Sequence, residues 1–379
     1  MSILVRFLRR RRRGCGENYL ESINKDMNAS LSINQPKVRQ SNFELLRIIA
    51  MFMVLILHAD FQALGAPSRA DIISMPIGSF LKVFFEMASI VAVNVFILIS
   101  GWFGIRPSVK GFCKFVFQCL FFSVGTYVVM IVLGCTDFSL RGLAGCFALI
   151  PGDTYWFIPS YIGLYLFSPV LNAFIKMSDK KTFMYVLFGF FIFQTIYAFI
   201  GGGANYLMKG YSALSFMGLY LLAAFVRSYV DLKKYNKNLF LAGYIAITIC
   251  LTIVWILSQY LNMSSIISRL QSYSNPIVVF SSLCLLIYFS RINFSSSIVN
   301  RIAASCFAAY LLHCNPNIYS LFVKSVGDMV LYNTFIELRI LGIVCVWFIL
   351  SILLDSLRVS LWNLTLKIQD VIIMQRAKC

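Results

Sequence analysis

The sequence predicts an all-α fold in which about ten helices cross a membrane. Hydrophobic residues make up 59% of the 379 residues and charged residues only 13%, and the mean hydropathy is +0.79. Soluble globular proteins carry about 25% charged residues. Long apolar runs broken by short polar links fill the chain from residue 43 to residue 357. The sequence lacks the ten-residue segments of alternating hydrophobicity that would indicate a transmembrane barrel.

The apolar runs define the spans in chain order. Each run approaches the length of about 20 residues that a helix needs to cross the hydrocarbon core. We place the spans at about 43–64, 79–103, 112–134, 155–175, 182–201, 211–230, 239–261, 275–290, 302–322 and 332–357. We therefore expect one transmembrane domain over 41–357, a basic and polar segment over 1–40 before it, and a short tail over 358–379 after it.

The basic residues follow an alternating pattern along the links, which indicates topology rather than nucleic-acid binding. The net charge is +18. One set of links is rich in Lys and Arg: Arg106, Lys110, Lys114, Lys176, Lys180, Lys181, Arg227, Lys233, Lys234, Lys237, Arg291 and Arg301. The other set carries only Arg69, Arg141, Lys209, Arg269 and Lys324. Because cytoplasmic links carry the excess of Lys and Arg, we expect both termini in the cytoplasm and no nucleic-acid partner.

The first forty residues are expected to be disordered. Five consecutive arginines occupy positions 9–13, and a stretch rich in Asn, Ser and Lys follows them. No apolar core follows the arginines closely, so the segment does not read as a signal peptide. The basic cluster is suited to contact with anionic lipid headgroups. A true start at Met27 is the alternative interpretation.

The cysteines do not indicate a metal centre. Most of the eleven fall inside spans, where Cys behaves as a small apolar residue. No Cys-x-x-Cys pair and no sequence cluster of Cys and His suggests metal ligation, so no metal site is expected. A disulfide between Cys135 and Cys146, in the link after the third span, stays open. No phosphate-binding loop or nucleophile elbow is present either, which argues against nucleotide hydrolysis.

The first span carries two ionisable side chains at bilayer depth, Arg47 and His58. A charged group there costs roughly 2.5–3.5 kcal/mol on insertion scales, so such residues are rarely without a function. Eleven residues of helix make about three turns and about 16 Å, which puts both side chains on one face. Glu44, three residues before Arg47, shares that face. The stripe predicts an interior cavity or polar partners.

Both histidines of the chain, His58 and His313, lie inside predicted spans. Histidine suits general-base chemistry because its unperturbed pKa is near 6.5. The alternative for each is a histidine that only forms hydrogen bonds between helices.

Further polar residues occur within or beside the spans. Glu86, Asn94 and Ser100 lie in the second span, and Ser100 with the following glycine also fits close helix packing. Tyr155 and Trp156 lie at the predicted outer end of the fourth span. An interfacial aromatic belt and a platform that stacks on a sugar ring both explain this pair.

At these positions the chain resembles the bacterial membrane acyltransferase family 3, the polytopic O-acyltransferases of cell-surface glycans. The resemblance covers about residues 41–357. It rests on four motifs in order: Arg47 and His58, Asn94-Val-Phe with Ser100-Gly101, Tyr155-Trp156-Phe157, and Tyr310-Leu-Leu-His313.

The resemblance implies transfer of an acyl group, usually acetyl, from cytoplasmic acyl-CoA to a hydroxyl of a cell-surface or lipid-linked glycan. It implies a multi-pass protein of the bacterial inner (cytoplasmic) membrane with no bound cofactor, since acetyl-CoA is a substrate. Membrane lipids and glycan-assembly proteins are the further expected partners.

The resemblance also implies roles for individual residues. His58 is the expected catalytic base, with an acyl-His58 intermediate as the variant mechanism. Arg47 is expected to hold a phosphate of coenzyme A. The expected substrate-binding residues are Glu44, Glu86, Asn94, Ser100, Tyr155, Trp156 and His313, with Asn94 suggested as the donor to the oxyanion.

An exporter or flippase of a lipid-linked oligosaccharide is the main alternative function. Ten spans with polar residues near the midplane are compatible with it. No inverted pair of helices broken by Gly or Pro, a common feature of transporters, supports it. A glycan polymerase is disfavoured because the links are short.

Overall fold

The computed structural model describes residues 39–148, 155–201, 208–330 and 336–376. All the elements below belong to the compact unit Ser41–Cys379. The described residues form helices joined by turns and contain no β-strand, which confirms the all-α prediction. The predicted N-terminal segment lies, except for residues 39 and 40, outside the described residues.

Eight helices occupy the first half of the described chain. Two of them, α1 and α8, continue into a π-helical turn, His58–Gln62 and Gln194–Ile200 respectively. The eight are α1 (Ser41–Leu57), α2 (Arg69–Ser74), α3 (Pro76–Ser89), α4 (Ala92–Phe103), α5 (Val109–Val132), α6 (Leu140–Phe147), α7 (Phe157–Met177) and α8 (Lys180–Phe193).

Eight more helices follow in the second half, with short 3-10 turns at Met208–Gly210 and Leu232–Lys234. They are α9 (Ala213–Tyr229), α10 (Lys237–Tyr260), α11 (Ser264–Leu270), α12 (Pro276–Ser290), α13 (Ser297–Ser305), α14 (Phe307–His313), α15 (Tyr319–Val330) and α16 (Ile336–Arg376).

The protein is a multi-pass membrane protein. Among the described residues, six helical stretches are long and apolar enough to cross a bilayer, and α9 and α12 are shorter apolar helices. The six are Ser41–Gln62, Pro76–Phe103, Val109–Val132, Phe157–Met177, Lys237–Tyr260 and Ile336–Ile368. The predicted count of ten spans is not confirmed, and the side on which the termini lie stays a prediction.

The predicted ninth span over 302–322 is wrong as a single helix. The chain leaves the helix directly after His313 and resumes in α15. Pro316 lacks a backbone N–H and restricts the residue before it, so it favours this break. Asn315 stabilises the turn, because its side chain accepts a hydrogen bond from the Asn317 amide at 2.9 Å and donates one to the Phe122 carbonyl at 3.3 Å. Such non-helical backbone is tolerated inside a membrane where protein surrounds it or where it lines a cavity.

The last helix continues beyond the predicted boundary at residue 357. α16 runs to Arg376 and holds a buried ion pair, in which the Arg358 guanidinium donates to both carboxylate oxygens of Asp355 at 2.9 and 2.6 Å. Gln118 of α5 donates to the same carboxylate at 3.0 Å. The predicted cytoplasmic tail therefore begins inside a helix, and its location stays a prediction.

The first two spans form the centre of the bundle. α1 packs against α3, α4, α12, α13, α14 and α16. The apolar windows of the first two spans are 61% and 72% buried, against 22–33% in the other four long spans. Glu44 and Asp60 of the first span are buried and Arg47 and His58 are half-buried, which suits charge at bilayer depth.

One close helix contact explains a glycine of the second span. A Cβ atom at Gly101 would collide with the backbone of Tyr220, so α4 and α9 approach each other more closely than a larger residue would allow. The alternative of helix packing therefore accounts for Gly101. Cys135 and Cys146 are both free thiols, and the disulfide left open between them is not formed.

Candidate active site

His58 opens the π-helical turn at the end of α1. The Ala63 amide donates to the His58 carbonyl, five residues earlier, which widens this turn relative to an α-helix. Such single-turn departures from the α-helix are frequent at functional sites. Gly65, with a φ of 76°, ends the segment in the left-handed conformation that glycine adopts without strain.

His313 lies directly against His58. Its Nε2 is 2.7 Å from the Nδ1 of His58, and its own Nδ1 is 2.5 Å from the Ala309 carbonyl oxygen. A carbonyl oxygen can only accept, so the proton of His313 sits on Nδ1 and its Nε2 presents a lone pair. His58 must then donate from Nδ1, which leaves its Nε2 as the unprotonated nitrogen. This arrangement suits a general base oriented by a second histidine.

Cys314 completes the cluster, although the sequence did not indicate it as a site residue. Its Sγ is 3.2 Å from Nδ1 of His58 and 3.3 Å from Nε2 of His313. Spacing along the chain did not indicate this group, because His58 and Cys314 are 256 residues apart. Its one sequence signal was adjacency to an intramembrane histidine.

Two cavities meet at His58, and we name them the apolar cavity and the polar pocket. The apolar cavity has a volume of about 40 Å³, and its lining includes Met51, Val54, Leu57, Phe96, Phe157 and Phe307. The polar pocket has a volume of about 410 Å³, and its lining includes Gln62, Cys314, Pro316 and Tyr319. His58, Trp156 and Tyr310 line both.

The aromatic pair at the start of the fourth span packs inside the bundle. Tyr155 is buried, and its hydroxyl donates to the Leu311 carbonyl at 2.7 Å, which holds α14 in place. The half-buried Trp156 contacts the ring of Tyr211 at 4.3 Å between centroids and stacks on Tyr273 at 6.0 Å. Contact with a sugar ring at Trp156 stays a prediction.

Tyr310 is a candidate that the sequence indicates only as part of a motif. Its ring lines both cavities beside His58. Its hydroxyl is buried, and no described residue accepts a hydrogen bond from it. Buried polar groups are normally satisfied, so an unsatisfied donor here is available to a bound substrate.

Two predicted binding residues of the second span make hydrogen bonds within the protein. The Asn94 amide is buried and donates to the Tyr273 carbonyl at 3.0 Å. The Ser100 hydroxyl donates to the Phe96 carbonyl at 3.0 Å, four residues earlier in the same helix. The Asn94 donor is therefore engaged in tying α4 to the turn before α12, and Tyr310 is the better candidate for an oxyanion donor.

Arg47 and Glu44 form a separate group near the start of α1. Arg47 Nη1 lies 2.8 Å from Glu44 Oε1, and the Arg47 side chain is 32% exposed while that of Glu44 is 7% exposed. The pair lies about three helical turns from His58. A cavity of about 220 Å³ lined by Arg106 and Tyr161, among others, lies beside the link between α4 and α5. That link was predicted to be on the same side of the membrane as the start of α1.

Glu86 belongs to an acidic group beside the π-helical turn, not to the two cavities at His58. Asp60 lies 3.7 Å from the ammonium nitrogen of Lys82, in α3, and is almost fully buried. Glu86, one turn after Lys82, is also buried, and its Oε2 has no hydrogen-bond partner among the described residues. Asp60 also shares a small cavity with Glu337. Asp60 and Lys82 were not predicted as site residues.

The sequence model of a family described as an acyltransferase domain matches residues 40–354. No match to a curated protein or to a solved structure was found. The matched range includes the His58 cluster, the two cavities and the Glu44–Arg47 pair.

Proposed function

The chain belongs to the acyltransferase family 3, and we propose that it transfers an acyl group from acyl-CoA to a hydroxyl of a cell-surface or lipid-linked glycan. Acetyl-CoA is the proposed donor, and the bacterial inner membrane the proposed location. The observation that carries the proposal is that His58 lines both cavities while its Nδ1 lies 2.7 Å from Nε2 of His313.

In the proposed reaction, Nε2 of His58 removes the proton of the acceptor hydroxyl. The alkoxide oxygen attacks the thioester carbonyl, the C–S bond breaks, and the departing thiolate takes the proton back from His58. His313 is the positioning residue, because its Nε2 accepts from Nδ1 of His58 and so stabilises the positive charge that develops on that ring. An acyl-His58 intermediate is the variant, and it would give ping-pong kinetics.

The two cavities suit the two substrates. The apolar lining of the smaller cavity fits the acyl group and the thioester, and the polar pocket fits a sugar with its hydroxyls. In the proposed reaction Tyr310, which lines both, donates a hydrogen bond from its hydroxyl to the oxyanion as the tetrahedral intermediate forms.

The proposed anchor for the phosphates of coenzyme A is Arg47, together with Arg106. Arg47 contacts Glu44 through one guanidinium nitrogen, and a guanidinium offers five N–H donors in all. Planar, bidentate binding of phosphate is the usual role of such a side chain.

The direct test supplies radiolabelled acetyl-CoA to membranes that contain the protein and follows the label into glycan and lipid-linked sugar. We expect His58→Ala to lower the rate about 10²–10⁴-fold, the usual contribution of a general base. His313→Gln keeps an acceptor for Nδ1 of His58, and we expect it to retain more activity than His313→Ala.

Undiminished labelling in His58→Ala would contradict the catalytic role of that residue. The exporter or flippase alternative predicts a different pattern. In that case glycan would fail to cross the membrane without the protein, and no label would enter it with the protein present.

A further inference from the structure

Three metal-ligand atoms converge where the two cavities meet. Nδ1 of His58, Nε2 of His313 and Sγ of Cys314 form a triangle with sides of 2.7, 3.2 and 3.3 Å. Around tetrahedral zinc, with Zn–N of about 2.0–2.1 Å and Zn–S of about 2.3 Å, the corresponding sides are about 3.3–3.6 Å. The three atoms need to separate by less than about 0.7 Å to bind the ion.

We propose that His58, His313 and Cys314 bind Zn²⁺ and that the bound ion stops acyl transfer. Two imidazole nitrogens and one thiolate are a donor set that favours Zn²⁺ over Mg²⁺ or Ca²⁺, which prefer oxygen. The second part of the proposal, the loss of activity, rests on the base role proposed above for His58.

The surroundings of the cluster support metal binding. The hydrogen bond from Nδ1 of His313 to the Ala309 carbonyl fixes the ring so that Nε2 presents its lone pair. Such outer hydrogen bonds orient most metal-binding histidines. His58 and Cys314 also line the polar pocket, which supplies an access route and room for a water molecule as fourth ligand.

The local backbone brings two consecutive residues to one point. His313 is the last residue of α14, and Cys314 follows it with φ −83° and ψ 2°. This bridge region of the backbone map is sparsely populated and occurs often at active sites. The early helix end before Pro316 therefore has a chemical consequence, because it places the thiol beside both imidazoles.

Zinc binding and base catalysis make opposite demands on His58. To act as a base, His58 needs its proton on Nδ1 and a lone pair on Nε2. To bind the zinc ion, it needs a lone pair on Nδ1 instead. Binding therefore moves the proton of the ring to Nε2, and the thiol of Cys314 releases its proton to solvent. An acceptor hydroxyl then finds no lone pair on Nε2 to take its proton.

The binding test uses the full-length protein in detergent, titrated with Co²⁺ as a spectroscopic substitute for Zn²⁺. We expect a thiolate-to-cobalt charge-transfer band in the near ultraviolet that Zn²⁺ removes. Cys314→Ser should abolish the band and weaken metal binding by at least about 100-fold, since loss of even an outer partner costs about 10–100-fold. Cys314→Ala is a second variant with the same expectation.

Cys284→Ser is the matched control. Cys284 is as buried as Cys314, at 3% against 6% exposed, but it lies on α12 and is not part of the cluster. The band should persist in this control. No band in the wild-type protein, or a band that survives in both Cys314 variants, would overturn the site.

The activity test measures acyl transfer at increasing Zn²⁺. We expect inhibition that a chelator reverses, and a half-inhibiting concentration at least about 100-fold higher in Cys314→Ser, relative to the activity of that variant without metal. Active protein that shows the cobalt band but resists Zn²⁺ would overturn the inhibitory role alone. Absence of transfer without metal would instead contradict the proposed function, and the cobalt titration would still decide the site.

Discussion

At His58, the tautomer is decided by an atom that the residue does not contact. The Ala309 carbonyl fixes the proton of His313 on Nδ1, and the lone pair on Nε2 of His313 in turn fixes the proton of His58 on its Nδ1. The sequence identified both histidines as candidates but did not indicate that they touch, because 255 residues separate them. It also did not single out Cys314, since one thiol among eleven carries no signal without the fold.

A prediction at the residue scale concerns the Tyr310 hydroxyl. We expect Tyr310→Phe to lower kcat about 10²–10³-fold, the usual effect of removing an oxyanion donor. Because no described residue accepts a hydrogen bond from this hydroxyl, the variant should fold and melt like the wild type. Kinetics with labelled acetyl-CoA and a thermal melt in detergent test both statements.

Tyr155→Phe is the matched control for this prediction. The Tyr155 hydroxyl donates to the Leu311 carbonyl, so its loss leaves a buried acceptor unpaired and costs about 1–3 kcal/mol of stability. We expect a lower melting temperature with a smaller loss of kcat. Equal kcat in Tyr310→Phe and wild type would remove Tyr310 from the mechanism.

At the scale of the elements, hydropathy located the long helices but could not show breaks within an apolar run. The first, second, third, fourth, seventh and tenth predicted spans correspond to long apolar helical stretches. The run over 302–322 contains enough apolar residues to predict one continuous helix, yet Asn315 and Pro316 end α14 inside it. A hydropathy window averages over such residues, and the hydrogen bond of Asn315 to Phe122 depends on a helix far away in sequence.

Gly101 provides the prediction at this scale. We expect Gly101→Ala to destabilise the protein by about 1–3 kcal/mol, because the added methyl group overpacks the contact of α4 with α9. Gly125→Ala in α5 is the control, since nothing lies within 4 Å of its Cβ position. This control should be neutral or stabilised by up to about 1 kcal/mol through helix propensity. Thermal unfolding in detergent compares the two, and equal melting temperatures would contradict the packing role.

At the scale of the whole molecule, burial depends on the position of a helix in the bundle, whereas the charge of the links alternates along the chain. The first two spans are mostly surrounded by protein, whereas the other long spans expose most of their apolar windows at the surface of the bundle. Composition predicts that helices cross the membrane, but only the packing shows which of them form the centre. The alternating charge of the links predicts the direction of insertion, that is, on which side of the membrane each link lies. A measurement on intact cells tests this prediction.

Thiol labelling of intact cells tests that direction. In a background with the other cysteines replaced by alanine, native Cys135 represents a predicted outer link and Lys234→Cys a predicted cytoplasmic one; both positions are exposed. We expect a membrane-impermeant maleimide to label Cys135 directly and the second position only after permeabilisation. The reverse pattern would invert the topology and place Arg47 at the outer face.

The apolar lining of the smaller cavity has a consequence for the energetics of the cell. Cavities lined mostly by aliphatic and aromatic side chains stay dry, because water molecules there lack hydrogen-bond partners. Protons move along files of hydrogen-bonded waters, and this lining disfavours such a file beside His58. We therefore expect vesicles that carry the protein to hold a pH gradient, which a pH-sensitive dye would report.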